Sequence, residues 1–226
     1  MKRILSLLCL FLFTSILSIP PTFSESSIYQ QKYQSLKSTF PKPSFEVFEK
    51  ALMGYEKIVS KGLLKKDQLL SIIDFSLSSN EKRLWVIDLK KKEILFHSLV
   101  AHGRNSGEEY AESFSNRIQS YQSSLGFYIT EETYKGKHGH SLYLTGLEPG
   151  VNDNARKRGI VIHGADYVDP DFIKKHGRLG RSLGCPALPQ HLSKKIIDTI
   201  AHKSCLFIYF PDQSYLNNSE YLESDA

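Results

Sequence analysis

Two periodicities divide the chain. From residue 44 the apolar positions Phe45, Phe48, Leu52, Tyr55 and Val59 recur every three or four residues, with Ser44 placed to cap the first turn and Gly62 to end the last. This predicts an amphipathic helix. Leu69, Leu70, Ile72 and Ile73 predict a second helix over residues 63–75, the pair covering a face or edge of a sheet. Residues 25–43, rich in Ser, Gln, Tyr and Pro without a clear period, read as a mobile lead-in. Beyond residue 79 the apolar runs become short and strand-like: 84–88, 93–96 (with 98–101 as an extension), 126–130, 141–144, 160–162 and 205–210. Polar turns separate them, including Asp88-Leu89-Lys90-Lys91-Lys92 as a hairpin connection. Two helices interrupt the strands. One starts at Asp169-Pro170, with proline at its first position, and one runs from Pro189 to His202. Residues 103–122 form a polar loop of a length that is usually functional or mobile. Many short strands with few helices give a mainly β (α+β) domain, a sandwich or open barrel.

Composition then adds a compartment. Residues 1–24 carry Lys2 and Arg3 before an apolar run over 4–16 and small or polar residues after it, a secretory signal pattern. That run is short of the about 20 residues that span a bilayer. Membrane contact is therefore expected only through a transient signal peptide, and the mature chain is expected outside the cytoplasm, in the periplasm or cell envelope. Its removal lowers the formal charge from +5 to +3, since Lys2 and Arg3 leave and no acid does. Without Lys/Arg runs interleaved with aromatics, nucleic acid is not an expected partner. Residues 213–226 read as a polar tail.

After the signal segment, Cys185 and Cys205 remain. In an exported chain two cysteines suggest a disulfide. Cys205, however, lies in SCLFIYF, the pattern of a small buried hydrophobe, whereas Cys185 lies in a Gly/Pro turn, RSLGCPA. Upstream, His163 ends the apolar run Ile160-Val161-Ile162, and Gly164 after it allows close approach. A thiol becomes a nucleophile as thiolate, so it needs a base or a positive environment. His163 can be that base, and Arg178 and Arg181 can add positive potential. Pro186 has no N–H, so donors to a developing oxyanion must come from Cys185 itself and from Gly184 or Leu183. Ser182, through its carbonyl, or Asp166 could orient the imidazole. Spacing alone leaves a catalytic pair and two structural residues both open. His138 and His140, two apart on a strand, could join His163 on zinc, although no carboxylate or cysteine completes a recognisable ligand set; no metal and no cofactor is expected. Papain-like wall peptidases place Cys before His, the reverse of this order. Sortases share the order but carry a Thr-rich strand and a later Arg that are not evident here.

The segments HGADY…GRLGRSLGCPA and SSLGFYITEETYKGKHGHSLYLTGLEPGVNDNARKRGIVIHGA, within residues 79–212, resemble the murein L,D-transpeptidase catalytic-domain family. The resemblance implies an L,D-transpeptidase-like β fold over 79–212, behind a helical element at 25–78. It implies Cys185 as nucleophile, His163 as base and backbone N–H groups at Gly184 and Cys185 as oxyanion hole, with peptidoglycan stem peptides as partners. The chain departs from the better-known branch at Leu183, where His is common, and at Pro186-Ala187, in place of an aliphatic residue and Arg. Arg181, Arg178, Arg156 or Arg158 is then expected to hold the stem, with Gly164, Tyr128, His138 and Asn154 lining the cleft. The implied reaction is transpeptidation through a thioester, or L,D-carboxypeptidation if water takes the acyl group. An inactive wall-binding module is the non-enzymatic alternative.

Overall fold

The structure, a computed structural model, describes residues 25–223. The elements run α1 (Glu25–Ser35), α2 (Phe45–Ser60), β1 (Leu69–Asp74), β2 (Leu84–Asp88), β3 (Glu93–Ser98), β4 (Gly126–Gly136), β5 (Gly139–Gly146), β6 (Val161–Ala165), α3 (Pro170–His176), β7 (Ala187–Pro189), α4 (Gln190–Ile200), β8 (Cys205–Tyr209) and α5 (Gln213–Asn218). All eight strands form one sheet in the order β3-β2-β1-β8-β4-β5-β6-β7. Its two edges meet. Beyond β3, Ala101 pairs with Ala187 of β7 through Ala101 N–H to Ala187 O at 2.9 Å and the reciprocal bond at 3.3 Å. The sheet is thus a barrel-like surface joined at one seam, which uses up much of the edge-strand hydrogen-bonding capacity. A small apolar cluster of Leu99, Ala101, Ala165, Val168, Leu179 and Ala187 packs at that seam.

Four expectations are corrected. Residues 25–35 are a helix, docked by Tyr29 O–H on Glu56 and by Tyr33 O–H on Pro43 O. Residues 69–74 are not helical but strand β1, buried along its whole length between β2 and β8. The expected boundary at 78/79 therefore cuts through the sheet. His163 does not end its strand, because β6 continues to Ala165. The polar tail holds α5, with Tyr215 and Tyr221 buried. There the buried Glu148 carboxylate accepts from Phe127 N–H at 2.6 Å, Tyr215 O–H at 3.2 Å and the Ser219 hydroxyl. Residues 1–24, with their signal reading, lie outside the described residues. Among the described residues no helix is long and apolar enough to cross a membrane.

Helix α2 lies on β1 and β8 and α4 on β4 to β7, so the two longest amphipathic stripes cover the sheet. The 88–92 hairpin turn and the capped α3 form as the sequence predicts, Asp169 accepting from Asp171 N–H at 2.7 Å.

Candidate active site

Strands β6 and β7 run parallel, with His163 opposite Ala187. Cys185 stands two residues before Ala187, as Val161 stands before His163. The thiol therefore lies over the start of β6, and the backbone of His163 is two residues further along the strand, a rise of about 6–7 Å. Its contacts agree with this: Val161 N–H donates to Sγ at 3.5 Å, and the thiol donates to Gly159 O at 3.8 Å. Cys185 is partly exposed and Cys205 is buried; both are free thiols, so the disulfide reading does not hold.

His163 Nδ1 bonds Gly164 O at 2.9 Å. A carbonyl only accepts, so Nδ1 carries the proton and Nε2 has a free lone pair. The orienting group is thus the next residue's carbonyl, neither Ser182 nor Asp166. Burial holds the imidazole pKa down despite the Gly164 bond, and His138 and Lys137 lower it further. Burial pushes the Cys185 thiol up, opposed by Val161 N–H, Arg158 and Lys137. The resting pair is consequently neutral thiol and neutral imidazole.

The turn carrying Cys185 is held from both sides. Ser182 Oγ accepts from Gly184 N–H at 3.1 Å and donates to Cys185 O at 2.6 Å. Gly184 sits at φ +118, where side chains are strained, and a Cβ there would meet Gln122 O at 2.7 Å. Ser123 Oγ donates to Gly184 O at 3.2 Å and accepts from Gly103 N–H at 3.0 Å. The Gly184 N–H is therefore engaged, contrary to the oxyanion role expected for it. The N–H groups of Leu183 and Cys185 make no hydrogen bond among the described residues.

Several expected cleft residues are elsewhere engaged. Arg178 and Arg181 share Glu108, at 2.7 and 2.6 Å. Arg156 pairs with Glu132 and lies over the Tyr143 ring. Asn154 bonds the backbone and side chain of Asn116. Tyr128 is fully buried, its O–H on Ser124 O. Gly164 faces α4, where a Cβ would meet Gln190 Oε1 at 2.4 Å and Ser193 Oγ at 2.5 Å, so it admits a helix rather than a ligand. His138 does reach the site, its ring stacked on His163 at 4.3 Å. His140 instead binds Asp198 at 2.7 Å, and no zinc-like group of three side chains forms among the described residues.

Sequence reading underweighted three residues here. Arg158 reaches Ser115 O, Ser124 Oγ, Ser120 Oγ and Gln122 O, tying the 115–124 segment beside Gly184. Tyr167 is close enough that the Cys185 sulfur, after burial, helps push its phenol up to about 12. Lys137 acts electrostatically on both Cys185 and His163. Only the length of the 103–122 loop signalled the first, and nothing in the local pattern signalled the others.

Among solved structures, an L,D-transpeptidase from Mycobacterium smegmatis is 12% identical over 63% of this chain, with TM-score 0.40. The chain spans 59% of that protein's length. An L,D-transpeptidase from Stackebrandtia nassauensis is 13% identical, covering 82% of this chain and 76% of its own, with TM-score 0.40. Bd1075 from Bdellovibrio bacteriovorus is 16% identical over 63% of this chain and 48% of its own, with TM-score 0.38. No curated protein sequence matches. The family profile described as the L,D-transpeptidase catalytic domain matches residues 40–209, which include β1 and both residues of the His–Cys pair, and the chain belongs to that family.

Proposed function

We propose that the protein is an exported peptidoglycan L,D-transpeptidase that works through a Cys185 thioester. The observation that carries this reading is the tautomer-fixed His163, with Nε2 unengaged, on the strand beside the partly exposed Cys185. Reaction begins when the thiol leaves Gly159 O and gives its proton to Nε2. The thiolate adds to the carbonyl of the L-centre of the diamino acid in a tetrapeptide stem. Negative charge on that oxygen is met by Leu183 and Cys185 N–H, donors of a kind whose loss costs about 10²–10³ in rate. Collapse breaks the amide bond, and the imidazolium protonates the departing D-alanine amine. A neighbouring stem's amine, losing its proton to His163, then attacks the thioester, forms the new amide and releases the thiol. Water in place of the amine gives a tripeptide, the carboxypeptidase outcome. Such a substrate lies in the periplasm or cell envelope, in keeping with the signal pattern of residues 1–24.

Cys185→Ala should abolish turnover of a disaccharide tetrapeptide, while Cys205→Ala keeps most of it. Full activity in Cys185→Ala, or a quantitative Cys185–Cys205 disulfide in the active enzyme, would overturn the reading. Mass spectrometry of the products, cross-linked dimer or tripeptide, separates transferase from hydrolase.

A further inference from the structure

The cations around the site differ in what they are free to do. Arg178 and Arg181 both hold the one Glu108 carboxylate, and Arg181 also donates to Arg104 O and Gly107 O. Arg158 donates to two carbonyls and two hydroxyls of the 115–124 segment, so its guanidinium buttresses a loop. Lys137 is exposed and makes neither an ion pair nor a hydrogen bond among the described residues.

Its location is fixed by the β4–β5 hairpin. Gly136 pairs with Gly139, leaving Lys137-His138 as the two turn residues, and Gly139 takes φ +74 to close it. Across the sheet, Ser141 of β5 pairs with His163. The tip curls back over this pair, because the His138 ring stacks on His163 at 4.3 Å. The Lys137 backbone is thus one Cα step, about 3.8 Å, from the residue lying on the histidine. Its charge favours the thiolate, against the dominant burial that pushes the thiol up, and disfavours the imidazolium, being in each case the smallest of the influences.

In a tetrapeptide donor the free carboxylate belongs to the leaving residue, one Cα step past the attacked carbonyl. The hairpin tip that carries Lys137 overlies the histidine, so its ammonium is offered to an anion one residue past the attacked carbonyl, and Arg178 and Arg181 already hold one in Glu108. We propose that Lys137 is a specificity-determining residue, whose ammonium receives the C-terminal carboxylate of the acyl donor. It thereby reads stem length, since a donor longer by one residue presents a neutral amide there. The inference rests on the transpeptidase reading above.

The test compares a disaccharide tetrapeptide bearing a free terminal carboxylate with its C-terminal amide, on the full chain and on the variants Lys137→Gln and Lys137→Arg. Losing one charge-assisted hydrogen bond predicts that the ratio of the acid's KM to the amide's KM rises about tenfold in Lys137→Gln relative to wild type, while any change in thiol or imidazole activation is shared by both substrates and leaves that ratio untouched. Lys137→Arg should restore most of the acid's KM. Equal losses for acid and amide, or no loss for either, overturn this inference while wild-type turnover leaves the transpeptidase reading standing. Turnover of neither substrate by wild type overturns both.

Discussion

At the residue scale the geometry of the proposed site is set by what fixes the backbone of Cys185. Ser182 Oγ is both acceptor from Gly184 N–H and donor to Cys185 O, so one hydroxyl sets the turn in which Leu183 and Cys185 N–H stay free. Ser182→Ala leaves the buried Gly184 N–H without a partner, at a cost of about 1–3 kcal/mol. We expect a lower urea midpoint and slower acylation of Cys185 by a thiol-reactive β-lactam, followed by mass spectrometry. Acylation at the wild-type rate would show that the hydroxyl does not shape the proposed oxyanion site. The His–Cys pair and this serine were legible in the sequence because glycines and a proline crowd them into one pattern. The arginines were not, since nothing in RLGRS reveals that Glu108, about seventy residues earlier, engages both.

Elements were legible where one side of the period faced water. Helix α2 shows a full apolar stripe and its Ser44 cap, accepting from Val47 N–H at 3.3 Å, and it was readable from the sequence. Strand β1 is buried at every position, so LLSIID carries no alternation, and a short apolar run does not separate strand from helix. Helix α1 was hidden by its polar composition, since tyrosines and not aliphatics anchor it. A helix–sheet contact supplies the test at this scale. Gly54 of α2 meets the Phe127 ring, and a Cβ there would lie 2.0 Å from its Cζ. Phe127 is itself buried and stacked on Phe207 at 4.3 Å, so it has little room to retreat. Helix propensity alone would make Gly54→Ala stabilising by about 1 kcal/mol. Overpacking costs about 1–3 kcal/mol, more where the neighbour is pinned, and should win. Urea unfolding is expected to show a net loss; a gain would mean that α2 shifts freely on the sheet.

For the whole molecule, the seam joining β3's extension to β7 couples the sheet's closure to the site. Just past Ala101, His102 O accepts from Ser182 N–H at 2.9 Å, and Gly103 bridges to Ser182. The His102 side chain is buried with Arg83, whose Nη2 lies 2.8 Å from its Nδ1. A guanidinium only donates, so Nδ1 must accept and the imidazole must be neutral. Burial and then Arg83 depress its pKa to about 4, against an ordinary value of 6.5. The sign follows. Between those values the unfolded chain takes a proton that the folded chain refuses, so stability is full above about pH 6.5 and falls as the pH drops toward 4. One histidine so shifted accounts for up to about 3 kcal/mol, and His163, also depressed, acts in the same direction. His102→Asn places an amide oxygen near the Nδ1 position without a titrating group. It should be less stable than wild type at pH 7, having lost the imidazole's packing and its Nε2 contact to Gly107 O, yet its unfolding free energy should fall less between pH 7 and pH 4. Equilibrium urea unfolding across that range measures both slopes. Parallel slopes would remove His102 as the source of acid sensitivity. A flattened slope would tie the closure of the sheet, and with it the turn beneath Cys185, to one buried neutral histidine.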